Sequence, residues 1–153
     1  MDRLKRLDRL LRLRLRKERQ ARLQMALTVR EDLARREARD EAERQAGEAR
    51  ELWRTEVGQG LGAARLGLLR SYLDARQGGL RRREALVADW QPRLEAARRE
   101  LGEASRERQA LDAWRERLRQ RLALEEGRAE RRRMDEIGLR EALRRLDPEH
   151  GEA

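Results

Sequence analysis

A seven-residue repeat constrains this sequence more than any other feature. From Leu66 to Leu146, positions spaced alternately three and four residues apart continue without a slip, and 17 of these 24 positions are apolar. The other seven positions hold arginine or glutamate, and three of the seven fall between Glu125 and Glu136. A sustained heptad repeat is typical of a left-handed coiled coil. This stretch therefore predicts a long helix that needs a partner, with a seam that weakens towards its end.

A second helical stretch precedes the repeat. Asp2 to Val57 contain no proline and one glycine, and apolar residues recur there at helical spacing. They are Leu4, Leu7, Leu11, Leu15, Leu23, Leu27 and Leu33, followed by Ala34, Ala38, Ala42, Ala46 and Ala49. Because alanine side chains are small, we expect a narrow, continuous seam that a partner helix can approach closely.

Gly58, Gly60 and Gly62 separate the two helical stretches and predict a hairpin tip. The sequence thus predicts one coiled-coil unit over residues 1–153, with helices at about 2–57 and about 66–146, a tip at about 58–65 and a frayed tail at 147–153. The pair Gly78-Gly79 predicts a kink or an interruption in the second helix. If the chain reverses near residue 60, the numbers of two residues that face each other across the helices add up to about 121. Residues beyond about 120 are then expected to have no facing residue on the first helix.

The composition excludes a conventional globular core. Charged residues make up 45% of the 153, and only 38% are hydrophobic, whereas a compact domain is roughly half apolar. An apolar seam between helices needs far fewer apolar residues than such a core. We therefore predict an all-α fold, a long antiparallel two-helix coiled-coil hairpin whose second helix is the longer one.

The sequence offers no catalytic, cofactor-binding or metal-binding residues. Cysteine is absent, and the single histidine, His150, lies in the predicted tail. The tip glycines lack the preceding strand and the following Gly-Lys-Ser/Thr of a phosphate-binding loop. Paired carboxylates such as Asp135-Glu136 lie among arginines, where ion pairs three or four residues apart explain them. We predict a protein that is not an enzyme and acts through its partners.

Positive charge is concentrated at the N-terminus. Met1 to Arg22 hold ten basic and three acidic residues, or +7 of the total of +9. An alternative function is therefore a basic coiled-coil module that binds nucleic acid or an anionic membrane surface through this segment. A self-associating spacer is a third possibility. Because Trp53, Trp90 and Trp114 fall on or beside the helix seam, we expect them to pack there and expect no nucleic acid partner.

No apolar run approaches the roughly 20 residues that span a bilayer, and the N-terminus has no apolar stretch of the signal-peptide type. We therefore expect a cytoplasmic protein.

Several short stretches resemble the FliJ/YscO family of type III export apparatus proteins. They are Leu111-Asp112-Ala113-Trp114, residues 125–145 with Arg131-Arg132-Arg133-Met134-Asp135-Glu136 inside, Gly60-Leu61-Gly62-Ala63-Ala64-Arg65, and Ser71-Tyr72-Leu73. The resemblance implies a cytoplasmic stalk, flagellar or injectisome, that is similar to the coiled coil of the rotary ATPase γ subunit. It implies that the stalk enters the hexameric ring of the export ATPase, promotes ring assembly or turnover, contacts the export gate at the inner membrane, and recycles export chaperones.

The resemblance also assigns candidate contact residues. We expect the ATPase to be bound by the basic N-terminal segment and by residues beyond Leu118, namely Arg3, Arg6, Leu10, Leu13, Arg14, Leu122, Arg131, Arg132, Arg133, Met134, Asp135 and Glu136. The gate-binding patch of the family matches Tyr72, Arg76, Gly79 and Arg83. Tyr72 keeps the aromatic character that the family implies at its position, whereas the other three depart from the small, aliphatic or imidazole side chains expected there.

Overall fold

The chain forms two long helices joined by a short turn, and the computed structural model describes residues 2–147. Helix α1 spans Asp2–Gly58 and helix α2 spans Ala63–Leu146. Within the described range there is no strand, and the predicted all-α helical hairpin is confirmed. Both helices are rich in alanine, leucine, arginine and glutamate, which are strong helix formers. Residues 148–153 of the predicted tail, with His150, lie outside the described residues.

One glycine in the turn adopts a conformation that other residues avoid. Gly60 has a φ of 69°, in the left-handed region where a Cβ atom is unfavourable. The Gly60 N–H donates to the Val57 carbonyl oxygen over 3.3 Å at the end of α1. The Leu66 N–H donates to the Gly62 carbonyl oxygen over 3.1 Å in the first turn of α2. The reversal therefore occurs over residues 59–62.

Contacts between the helices divide the chain into two compact units, to which both helices contribute. Within the described residues, the terminal unit comprises 2–15 and 106–147. The turn unit comprises Arg16–Ser105. Each unit has its own seam.

The seam of the turn unit combines small residues of α1 with larger ones of α2. Ala46 and Ala49 are buried on α1. The buried residues of α2 are Leu73, Val87, Leu94, Ala97 and Ala104. All five occupy positions of the seven-residue repeat, so the predicted seam of the second helix is confirmed in this unit.

The predicted seam of α1 in the turn unit is confirmed for four alanines, since Ala46 and Ala49 are buried and Ala38 and Ala42 are half-buried, but it is wrong for Ala34 and for the leucines. Leu23, Leu27 and Leu33 are exposed rather than packed against α2. The positions that are buried or half-buried instead are Glu18, Ala21, Met25, Thr28 and Asp32, which are also spaced alternately three and four residues apart. The first helix therefore follows a regular heptad phase like the second. Leu4, Leu7 and Leu11 share this phase, whereas Leu23, Leu27 and Leu33 lie outside it, which is why a search for leucine stripes selects the wrong face in the turn unit.

Trp90 has different neighbours from those predicted. The register places it near Leu33, but its indole N–H donates to the Thr28 carbonyl oxygen over 3.0 Å. The guanidinium of Arg35 lies over the ring, 4.3 Å from its centroid. These contacts follow from the corrected face of α1, because Thr28 and Arg35 lie at seam positions and Leu33 does not.

Two carboxylates are buried in the seam of the turn unit. Glu18 is 4% exposed and Asp32 is 6% exposed. Glu18 accepts a hydrogen bond from the Ser105 hydroxyl over 3.1 Å, and Asp32 accepts one from the Gln91 amide over 3.0 Å. Each also pairs with the arginine one turn later in α1, over 3.1 Å and 2.8 Å. Because buried polar groups are tolerated only when they are hydrogen-bonded, these contacts favour one alignment of the two helices.

Leucines dominate the seam of the terminal unit. Leu7 is buried, and Leu4, Leu11, Leu111, Leu118 and Leu122 are half-buried. Arg115, which interrupts the repeat in the sequence, donates from Nε to Asp8 Oδ1 over 2.5 Å. This ion pair explains how an arginine is accommodated at a seam position.

Cross-helix pairs confirm the predicted register within each unit. In the terminal unit Arg14 pairs with Glu107, and these two residue numbers sum to 121. In the turn unit Arg76 donates to Gln45 over 2.7 Å, and these two numbers also sum to 121. The predicted sum is about 121.

Helix α2 continues through residues that often end helices. It runs without interruption through Gly78-Gly79, so the predicted interruption there does not occur, and it also contains Pro92. The Arg82 guanidinium lies close to the glycine pair, with nitrogens 3.8 and 3.9 Å from the positions that the missing Cβ atoms would occupy. A glycine costs a helix only about 1 kcal/mol relative to alanine, which contacts along the seam outweigh.

Candidate functional site

The candidate functional sites of this protein lie on exposed surfaces of the two units. Residues 2–147 contain no group of three or more His, Cys, Asp or Glu side chains that could hold a metal ion. Within the same range, no helix is long and apolar enough to span a membrane. Contacts with other molecules can form on the exposed faces of the two units.

In the terminal unit, α2 extends beyond its last pairing with α1. All side chains from residue 123 to residue 147 are exposed, except for the half-buried Gly127 and Ala129. Asp2, the first residue of α1, lines the same groove as Leu118 and Leu122, so the described part of α1 ends at this level. The exposed apolar residues of the segment are Leu124, Met134, Ile137, Leu139, Leu143 and Leu146. Residues 123–146, the free segment, therefore present apolar and charged side chains on a part of α2 that no described residue of α1 covers.

The candidate ATPase-binding residues all lie in the terminal unit. Arg14 faces the seam and pairs with Glu107, and Leu122 is half-buried. The other candidates are exposed: Arg3, Arg6, Leu10 and Leu13 on α1, and the run from Arg131 to Glu136 on α2. The run lies on the free segment, and no ion pair or hydrogen bond within residues 2–147 joins it to α1.

An apolar groove brings three of these residues, Arg3, Arg6 and Leu10, together with others that are not among the candidate ATPase-binding residues. The groove has a volume of about 490 Å³ and is lined on its apolar side by Leu7, Leu10, Trp114 and Leu118. Arg3, Arg6 and Arg121 line the rest of it. Trp114 is 56% exposed, so the prediction that it packs in the seam is wrong. We refer to this feature as the Trp114 groove.

The terminal unit carries most of the net positive charge. Its described residues, 2–15 and 106–147, include 19 basic and 12 acidic side chains, or +7, while the turn unit has 20 against 16, or +4. No ion pair joins Arg3, Arg6 or Arg121 to a carboxylate within residues 2–147. The arginines of the Trp114 groove are therefore available to a partner's carboxylates.

The candidate gate-binding residues lie along one stretch of α2 in the turn unit. Tyr72 and Arg83 are exposed, and Arg76 and Gly79 are half-buried. Arg76 lies over the Tyr72 ring, 5.2 Å from its centroid. Arg76, Gly79 and Arg83 border a groove of about 360 Å³ together with Arg82, which the sequence did not single out, and Tyr72 lies outside this groove.

Two exposed ion pairs in α1 shift the titration of their members. A hydrogen bond from Arg44 lowers the pKa of Glu41, and the same bond raises the pKa of Arg44. A hydrogen bond to Asp40 raises the pKa of Arg39. All three groups are on the surface, so these pairs stabilise α1 locally and do not form an acid–base site.

Comparison with known proteins relates this chain to a described protein family. A family model described as "Flagellar FliJ protein" matches residues 3–147 of the chain. No curated protein and no solved structure matches it. The matched range includes both helices, the turn, the Trp114 groove and the free segment.

Proposed function

Because the chain belongs to the flagellar FliJ protein family, and so is a component of the flagellar export apparatus, we propose that it is the non-enzymatic central stalk of that apparatus. In this proposal the terminal unit inserts into the ring of the hexameric export ATPase and promotes its assembly or turnover. The turn unit contacts the cytoplasmic region of the export gate, and the protein also binds export chaperones. The protein would then be cytoplasmic and held at the inner membrane by its partners.

The observation that carries this proposal is the free segment of α2. A helix with exposed apolar side chains and no partner gains stability when another protein covers them. The run from Arg131 to Glu136 adds three adjacent arginines, which can form bidentate hydrogen bonds with carboxylates. A ring of subunits that surrounds the helix can use side chains on all its sides, because consecutive residues of a helix point in directions about 100° apart.

Two shortened chains test the ATPase contact. A chain that ends at Leu122 should lose stimulation of ATPase turnover and of hexamer formation, whereas a chain that ends at Asp147 should keep both. Because residues 123–147 are outside the seam, both chains should melt within about 2 °C of the full chain, as expected for changes well below 1 kcal/mol. Full stimulation by the chain that ends at Leu122 would refute the stalk proposal.

The gate contact is tested separately. Tyr72→Ala and Arg83→Glu change exposed side chains of the turn unit and should weaken binding to the purified cytoplasmic domain of the gate. Stimulation of the ATPase should be unchanged, since neither residue belongs to the terminal unit. Glu95→Lys, an exposed change elsewhere on α2, serves as the control that should leave gate binding as it is.

A further inference from the structure

Trp114 differs from the other two tryptophans in its surroundings. Trp53 and Trp90 are half-buried, whereas Trp114 is 56% exposed. Across the groove from it, Leu10 is 46% exposed. Tryptophan buries a large area when a partner covers it, and it is enriched among the residues that dominate binding energies. Two large, exposed apolar side chains thus line the same groove of the terminal unit.

The groove between these residues has a shape that admits a side chain. Its floor includes the buried Leu7 and the half-buried Leu118. Its volume of about 490 Å³ is of the size that holds a few side chains. A concave apolar surface of this kind favours insertion of an apolar residue over contact with a flat surface.

The positive charge around the groove further restricts which protein segments can bind there. Arg3, Arg6 and Arg121 border the apolar surface and have no carboxylate partner within residues 2–147. By contrast, Arg14 and Arg115 of the same unit pair with carboxylates across the seam. Charge-assisted bonds from arginine to carboxylate are about twice as strong as neutral hydrogen bonds. The rim therefore favours acidic residues on either side of an inserted apolar one.

We propose that the Trp114 groove is the docking site for a protein segment that carries an apolar side chain flanked by carboxylates, and that this segment belongs to the export ATPase. The inference rests on the proposed stalk function and adds Trp114, Leu118 and Arg121 to the ATPase-binding residues. Single-stranded nucleic acid is disfavoured, because its binding surfaces stack successive bases on several aromatic rings, and Trp114 is the one aromatic residue among residues 2–15 and 106–147.

Tryptophan fluorescence tests the groove directly. In the variant Trp53→Phe/Trp90→Phe, the remaining tryptophan reports on Trp114 alone. Addition of the purified export ATPase should shift its emission to shorter wavelength and protect it from acrylamide. Addition of single-stranded nucleic acid, or of vesicles with anionic lipids, should do neither. A response to these two probes with none to the ATPase would overturn the proposal.

Variants of the full chain test the contribution of each side chain. Trp114→Ala and Leu10→Ala should each weaken ATPase binding about tenfold or more, the effect expected at the centre of an interface. Arg121→Glu should weaken binding and also reduce its dependence on salt. Arg119→Glu is the matched control, because Arg119 is exposed and two residues away, on nearly the opposite side of α2.

The results of these experiments distinguish a failure of the groove inference from a failure of the proposed stalk function. If the chain that ends at Leu122 loses ATPase stimulation while Trp114→Ala binds like the unchanged chain, the groove inference is wrong and the stalk function stands. If the unchanged chain neither binds nor stimulates the ATPase, both are wrong. Because Trp114 is exposed, Trp114→Ala should keep the circular dichroism and melting temperature of the unchanged chain, so weaker binding reports on the groove.

Discussion

The buried carboxylate of Asp32 stabilises the seam less than a leucine packed at the same position would. Asp32→Leu should therefore raise the free energy of unfolding of the hairpin. A leucine buried at this position contributes about 1.5–3 kcal/mol. The lost hydrogen bond from Gln91 costs about 0.5–1.5 kcal/mol and the lost pair with Arg36 about 0.3–0.5 kcal/mol. The Gln91 amide retains a second acceptor, the Val87 carbonyl oxygen at 3.4 Å, so it is not left without a partner. The net expected gain is about 1 kcal/mol.

Thermal and urea unfolding followed by circular dichroism measure this gain. A change of about 1 kcal/mol raises the melting temperature of a chain of this size by about 2–4 °C. The control is Glu37→Leu, which places a leucine at an exposed position of α1 and should leave the free energy of unfolding within about 0.5 kcal/mol. If Asp32→Leu instead lowers the free energy of unfolding, the hydrogen bonds of the carboxylate contribute more than apolar burial, and the account of a weakened seam is wrong.

Three further changes probe the fold. Gly60→Ala should destabilise the turn by about 1–2 kcal/mol, measured by urea unfolding, because φ is 69° at this residue. Ala46→Leu should cost about 1–3 kcal/mol in the same assay by overpacking a fully buried position, whereas Ala34→Leu at an exposed position should cost little. The hydrogen bond from Arg44 lowers the pKa of Glu41, so its stabilising contribution is present above the ordinary glutamate pKa and is lost as the pH falls through the lowered value. Glu41→Gln should therefore reduce the fall in melting temperature on acidification.

The sequence predicts the second helix better than the first for a physical reason. In α2 most positions of one heptad phase are apolar, so periodicity alone identifies the face that packs. In α1 the leucines are spread over several phases, and the true seam includes Glu18 and Asp32. The face of α1 is determined by pairing with α2 and by cross-helix hydrogen bonds, which the sequence of α1 alone does not contain.

The Trp114 groove, too, can be predicted only in part from the sequence. Leu10 is recognisable in the sequence as a residue outside the leucine stripe of α1. The register of about 121 places it opposite Leu111, one helical turn from Trp114, so combining these two observations indicates a shared surface. The exposure of Trp114 itself depends on the direction of its side chain beside the seam, which spacing does not determine.

The placement of leucines in α1 links the stability of the hairpin to its partners. Leu10, Leu23 and Leu27 are exposed while two buried seam positions hold carboxylates. Replacing either carboxylate by leucine would add about 1.5–3 kcal/mol to the free energy of unfolding, before the loss of its polar contacts is subtracted. This is a large share of the roughly 5–15 kcal/mol that is typical of a small domain. We therefore expect the free chain to be only moderately stable. A partner that binds only the folded chain adds about 2.7 kcal/mol at a hundred times its Kd, so binding of the proposed partner, the export ATPase, should compensate for much of the stability that the polar seam lacks.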